Sequence, residues 1–212
     1  MLAVHSDHAV PRDRLTELIW PDASPSRANH SLQVAISALR GLLEPEVPRE
    51  QRRLLRRTGQ GYLLVVADRA DHDLLRFGQL LSAADGARGR GDRDAEADHL
   101  MAAIERHSGE LLPAGRPADW LLTERERLRV VLATACERVS RLLTEAGRHA
   151  EAARHAERGL DVDRYRDGLW QVLALALRAG GQPAAAALAE ARYRSMLAEL
   201  GVSVGPGVGD GR

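Results

Sequence analysis

Lysine is missing from this sequence. All 30 of its basic residues are arginine, matched by 30 Asp and Glu, so the formal net charge is zero. Zero charge excludes a strong chain-wide positive field for nucleic acid and leaves room only for a local patch. Residues 1–66 carry nine Arg against seven acidic residues, and the remainder is correspondingly acidic. A planar guanidinium matches phosphate geometry better than an ammonium does. Cys136 is the only cysteine. That excludes an intrachain disulfide and a multi-cysteine zinc site, and it predicts a reducing, cytoplasmic setting. Aromatic residues make up 3% of the chain, so the core must be assembled from Leu, Ala and Val, a composition suited to packed helices. No apolar run approaches the roughly 18 residues that a membrane span needs, so no membrane contact is expected. The opening "MLAVHSDHAVPRDR" lacks the basic-then-apolar order of a secretory leader.

What is present is helical periodicity with one interruption. "AVPRDRLTELIW" (9–20) has Pro11 near a helix start and Leu15, Leu18 and Ile19 along one side. After the turn "PDASPS", the stretch "SRANHSLQVAISALRGLLEP" (26–45) predicts a longer helix. Its apolar stripe, Leu32, Ile36, Leu39 and Leu43, faces a core, and Pro45 and Pro48 stop it. The interruption is "LLRRTGQGYLLVV" (54–66), two apolar runs flanking Thr58-Gly59-Gln60-Gly61, which reads as a β-hairpin with a basic tip. All strands are expected there. The polar segment "DRADHD" (68–73) predicts a boundary between a first domain, 1–67, and a second, 71–204. Helices are expected over 74–87, 93–105, 119–145, 150–160, 167–179 and 183–200, separated by Gly- or Pro-containing joints. Gly147 and Gly181 begin similar Ala-rich runs 34 residues apart, the tetratricopeptide period, and residues 90–106 have the same flavour. Stacked helical hairpins of this kind present a concave surface to a partner. The Gly-rich tail "GVSVGPGVGDGR" is expected to be mobile. The fold class is therefore mainly α: a partial winged helix-turn-helix with one β-hairpin, then a tetratricopeptide-like all-α helical domain.

Helix, turn, helix and basic hairpin, in that order, give a physical route to DNA. If the 26–45 helix buries its leucine stripe, its opposite side is free to enter a major groove. At about 100° per residue that side carries His30, Gln33, Val34, Ser37 and Gly41, with Arg27 near the N-terminal end. Small and hydrogen-bonding residues suit base-edge reading. Arg40 lies toward the flank, where a phosphate would be. The hairpin becomes the wing, with Arg52, Arg53, Arg56 and Arg57 as charge and Thr58 and Gln60 as donors for the DNA backbone.

These residues also carry a resemblance. Leu15-x-x-x-x-Trp20, Leu32-Gln33 with Ser37-x-Leu39-Arg40, and Gly59-x-Gly61-Tyr62 resemble the OmpR-like DNA-binding domain of SARP-type regulators of antibiotic biosynthesis. The stretch from "DHDLLRFGQLLSAA" to "AEARYRSMLAELGV" resembles the bacterial transcriptional activation domain that follows it. The resemblance implies a DNA-binding transcriptional activator of secondary-metabolite or similar pathway genes. It would bind double-stranded promoter DNA, with a second protomer as homodimer partner on repeated sites, and recruit RNA polymerase holoenzyme. It implies no catalysis and no cofactor. There are departures. Only "MLAVHSD" stands where the family has lead-in strands and a full first helix, so the winged domain is expected to lack its N-terminal strands. Ala38 and Gly41 occupy positions where Arg is frequent. These departures and the zero net charge favour an alternative, a helical-repeat interaction module whose truncated winged helix no longer binds DNA.

Other chemistry finds less support. His5 with His8, and His149 with His155, lack helical i, i+4 spacing and a third ligand, so no metal site is expected. Cys136, within "VVLATACERV", has no His neighbour or helix start to activate it and reads as a small buried side chain. "GRGD" (89–92) lacks the Lys and flanking strand of a phosphate loop. Trp120 and Trp170, beside leucines, are expected in the core. "TERERLRV" (123–130) reads as a solvated face with i, i+4 pairing.

Overall fold

A computed structural model of the chain describes residues 1–6, 8–66, 72–107, 109–113 and 118–202. The Gly-rich tail from residue 203 onward and most of the 68–73 segment lie outside the described residues. Two compact units form: Met1–Arg76 with Gly109–Glu126, and Phe77–Ser108 with Arg127–Arg212.

In the first unit, strand β1 (Val10–Pro11) leads directly into helix α1 (Arg12–Ile19). Helix α2 (Pro25–Leu43) follows after a short turn. Its start is set by Ser24 at the N-cap and Pro25 in the first helical position, where a missing N–H costs no hydrogen bond. A short 3-10 turn (Arg49–Gln51) precedes the hairpin of β2 (Leu55–Thr58) and β3 (Gly61–Leu64). The sheet is antiparallel, ordered β1-β3-β2, with Val10 opposite Tyr62 and Arg57 also opposite Tyr62 on the other side of β3.

Strands are expected from the sequence only between Leu54 and Val66; β1 is an addition. Its two residues are too few for an alternation to be read, and its partners lie some fifty positions away in the chain. Its proline is compatible with an edge strand, which can do without a ladder donor. The pairing explains Gly61. A Cβ there would lie 2.6 Å from the carbonyl oxygen of Val10. Gly61→Ala is therefore expected to destabilise the first unit by about 1–3 kcal/mol, the usual range for overpacking, read as a lower thermal midpoint. Gly59 has φ +54° as the first residue of the two-residue hairpin loop, where a primed turn demands positive φ.

The core of this unit is Val10, Leu15, Leu32, Ile36, Leu55 and Tyr62, with Met1, Leu2 and Trp20 packed against it. Ala28, Leu32 and Ile36 are the buried positions of α2. Leu39 and Leu43, expected to continue that stripe, are instead 41% and 42% exposed. Length is the reason: α1 has 8 residues and α2 has 19. At 1.5 Å per residue they span about 12 Å and about 28 Å, so α1 cannot cover the C-terminal turns of its neighbour. Trp120, expected in the core, is only half-buried.

The remaining elements are helices: α3 (Asp73–Gly89), α4 (Arg93–Arg106), α5 (Asp119–Glu145), α6 (His149–Val162), α7 (Asp167–Ala179) and α8 (Pro183–Glu199). Beyond residue 71, no strand occurs among the described residues. The first helix of each helical hairpin ends in one repeated device. Gly91, Gly147 and Gly181 have φ of 73°, 76° and 75°. At each, the glycine N–H reaches the carbonyl three residues back and the next N–H reaches five back, as in Arg148 N to Leu143 O at 2.8 Å and Gln182 N to Leu177 O at 2.9 Å. This is the Schellman cap, which needs a left-handed residue and so selects glycine. The 34-residue spacing is thus a repeat of structure as well as of sequence.

In the second unit Gly159 lets α5, α6 and α7 approach closely. A Cβ would sit 2.7 Å from the Leu169 side chain and 2.9 Å from that of Cys136. Cys136 is fully buried, and burial pushes its thiol up to about 11, which keeps it protonated and inert. Arg138 of α5 binds Glu96 of α4 at 2.6 Å and Asp85 of α3 at 2.7 Å, tying three helices together. Trp170 is half-buried rather than core: its indole N–H donates to the Arg164 carbonyl at 2.8 Å and its ring stacks on Tyr193. An amphipathic ring with a polar partner belongs at such a boundary. Two of the 123–130 arginines reach partners outside their own helix. Arg125 binds Glu110 at 2.8 Å and the Leu111 carbonyl, and, in the second unit, Arg129 binds Asp163 at 3.3 Å.

Candidate nucleic-acid interface

With Ala28, Leu32 and Ile36 turned inward, the opposite side of α2 faces solvent. Arg27, His30, Gln33, Val34 and Ser37 are all exposed there. Val34, 56% exposed, is an apolar group on a polar face, the kind of contact a thymine methyl accepts. The buried spacing of four residues per step dictates this outward set, because side chains at i and i+4 share a face.

The wing carries the charge. Arg53, Arg56, Arg57, Thr58 and Gln60 are exposed. Leu55 is buried at the root of β2 while the three residues after it are not, so the hairpin is anchored at its base and projects its arginines. The Arg56 Nε–H donates to the Arg53 carbonyl at 3.0 Å, which stiffens one of these side chains. At the tip, the Arg12 N–H donates to the Gln60 carbonyl at 2.9 Å, tying the hairpin loop to the start of α1.

Arg40 is half-buried, and its Nε–H donates to the Leu55 carbonyl at 2.9 Å. Part of the guanidinium assigned to a flanking phosphate is therefore engaged within the protein. One turn further on stands Glu44, a residue that reading the sequence does not single out. It is buried, and its two carboxylate oxygens accept the backbone N–H groups of Arg53 at 2.8 Å and Leu54 at 2.9 Å. A signal for it exists in the sequence. An acidic residue at a helix C-terminus opposes the helix dipole, so it needs another partner. The Arg53 N–H bond holds this carboxyl below its ordinary range; burial opposes that, and the Leu54 N–H bond with the charges of Arg52 and Arg53 reinforces it. Because the folded-state value is lowered, the carboxylate's contribution is complete above the ordinary carboxylate value. It is lost only as pH falls through the lowered one.

The second unit offers a different surface. A groove of about 730 Å³ runs along α6, α7 and α8. Its floor includes Leu173, Leu177, Ala189 and Met196, and charged residues such as Glu157 and Arg192 line its rim. Among the described residues no cluster of His, Cys, Asp and Glu could hold a metal, and no helix is long and apolar enough to cross a membrane.

A helix with one buried and one polar face followed by a basic hairpin has the layout of a winged helix, and the glycine-capped helical hairpins of the second unit have that of a helical repeat. The particular family follows from comparison. The chain belongs to the bacterial transcriptional activator domain family, whose model matches residues 72–210, and the model of the transcriptional regulatory protein C-terminal domain matches residues 1–64. It is similar to regulatory protein AfsR of Streptomyces coelicolor, with 33% identity over 195 residues, covering 92% of this chain and 19% of that protein. It is also similar to transcriptional regulatory protein MoaR1 of Mycobacterium tuberculosis, with 28% identity over 213 residues, covering 97% of this chain and 66% of that protein. A solved structure of Mycobacterium tuberculosis EmbR, in complex with a low affinity phosphopeptide, superposes with a TM-score of 0.78 at 26% identity, over 97% of this chain and 54% of that one. The chain thus spans less than two thirds of the length of each of these relatives.

Proposed function

We propose that this chain activates transcription by binding double-stranded promoter DNA, with α2 in the major groove and the wing on the phosphate backbone. The supporting observation is the pairing of an exposed polar face on α2 with a basic hairpin rooted in the same core. In this reading His30, Gln33, Val34 and Ser37 meet base edges. Arg27, Arg53, Arg56, Arg57, Thr58, Gln60 and the remaining N–H groups of Arg40 meet phosphates. The division of labour runs between residues 1–67, which hold DNA, and 71–204, which recruit RNA polymerase holoenzyme in the cytoplasm. Secondary-metabolite genes are the proposed targets, and a second protomer would occupy the neighbouring repeat. The similarity to named transcriptional regulators supports this reading, and it assigns the chain no catalytic step.

Gln33 provides the test. Its two-headed amide can pair with adenine, so Gln33→Ala should cost roughly 1–3 kcal/mol on a cognate site and far less on random duplex. Anisotropy titrations of both duplexes measure this. Equal losses on the two would remove Gln33 from base reading. A second reading, a helical-repeat interaction module that does not bind DNA, draws on the zero net charge and the open groove along α6–α8. It would be favoured if the chain bound no duplex even at low salt.

A further inference from the structure

The wing's regular hydrogen bonds do not explain how it is held against α2. Between α2 and β2 lie residues 44–54, and a single 3-10 turn is their only regular element. Leu55 and the β1 pairing root the hairpin in the core, but a connection of that kind sets the path of its entry only where side chains fix it. Here they do. Arg40 lies in the last turn of α2, and Glu44 is the capping residue that follows the helix. Between them they hold three consecutive backbone groups at the entry to β2: the N–H of Arg53, the N–H of Leu54 and the carbonyl of Leu55. The Arg52 Nε–H bond to the Val47 carbonyl, at 3.0 Å, braces the connection itself. Hydrogen bonds to an ionised carboxylate are about twice as strong as neutral ones, and Glu44 is only 9% exposed, so solvent weakens them little. The placement also accounts for an anomaly. A carboxylate beside four wing arginines would repel DNA phosphates if it pointed outward; turned inward onto two N–H groups, it serves as a structural anion.

We propose that Glu44, assisted by Arg40, is a positioning residue that fixes the wing relative to the DNA-reading face of α2. On this proposal Arg56 and Arg57 add to DNA affinity only while Glu44 holds the backbone of Arg53 and Leu54. Glu44 itself touches neither base nor phosphate. The inference rests on the DNA-binding reading above for its consequence, but not for the clamp.

The experiment therefore has two readouts on the full chain. The first is amide hydrogen exchange in Glu44→Ala and in the milder Glu44→Gln, which keeps one acceptor. Loss of the carboxylate should speed exchange at Arg53 and Leu54 by about ten-fold or more, with a smaller rise in Glu44→Gln, while the amides of Leu32 and Ile36 keep their protection. The second is a double-mutant cycle on a labelled random-sequence duplex, comparing the Arg56→Ala, Arg57→Ala pair in the natural and Glu44→Gln backgrounds. The arginine losses should be smaller in the Glu44→Gln background, where one of the two backbone contacts loses its acceptor, since coupled residues are non-additive. A residue that merely contributes stability would leave the two losses equal. Unchanged exchange at Arg53 and Leu54, or equal arginine losses in both backgrounds, would overturn the proposal. If the natural chain binds no duplex, the DNA-binding reading fails on its own account, and exchange alone decides the clamp. If Glu44→Ala unfolds the unit, Glu44→Gln supplies both readouts.

Discussion

Leu32→Ala lowers the stability of the first unit by about 2–5 kcal/mol, the range for truncating a fully buried leucine, and Leu39→Ala costs about 1 kcal/mol or less. The contrast is the point, because periodicity alone places both residues on one stripe. Leu32 is 3% exposed and packs among Leu15, Ile36, Leu55 and Tyr62. Its removal leaves a cavity between α1, α2 and the sheet that a core this small cannot close. Leu39 lies beyond the end of α1, with 41% of its surface already in water. Urea unfolding followed by Trp20 emission, with Trp120 and Trp170 replaced by Phe, measures both variants against one probe that packs on this core. Equal losses would mean that something covers Leu39.

The wing arginines carry the second large effect. Arg56→Ala with Arg57→Ala is expected to weaken binding on cognate and random DNA alike. It should also reduce the slope of log affinity against log salt by about two units, roughly one for each phosphate that is no longer neutralised. Both side chains are exposed on a strand whose root, Leu55, is buried, so the double substitution removes charge without disturbing packing. Melting temperature should stay within a degree or two of the parent, in line with the small effects of surface substitutions. Affinity titrations at four or more salt concentrations give the slope. A loss of affinity confined to the cognate duplex would assign these arginines to base reading instead.

Much of the architecture is legible in the residues, for identifiable reasons. The bounds of α5 and α7 follow from the sequence because each begins with Asp and ends against a glycine joint, and those joints recur with the Schellman geometry that glycine alone forms easily. The outward face of α2 follows from its inward one. What escapes is whatever depends on a distant partner. Strand β1 exists only because Tyr62 and Gly61 come alongside it, and two residues have no period of their own. Leu39 and Leu43 follow the helical pattern faithfully, but the neighbour that would bury them is too short. Glu44 is hidden for another reason: its partners are backbone groups, which leave no residue-type signature. Only its position against the helix dipole marks it, and that mark becomes meaningful once the N–H groups of Arg53 and Leu54 are seen to face it.

The central claim is that one face of the first unit, α2 with its clamped wing, meets DNA. Nuclear magnetic resonance titration of the isotope-labelled chain with a promoter duplex tests it residue by residue. The account predicts that perturbed amides cluster over residues 27–41 and 53–60, with the second unit's α6–α8 unaffected at low stoichiometry. Perturbations confined to α6–α8, or none at low salt, would contradict it.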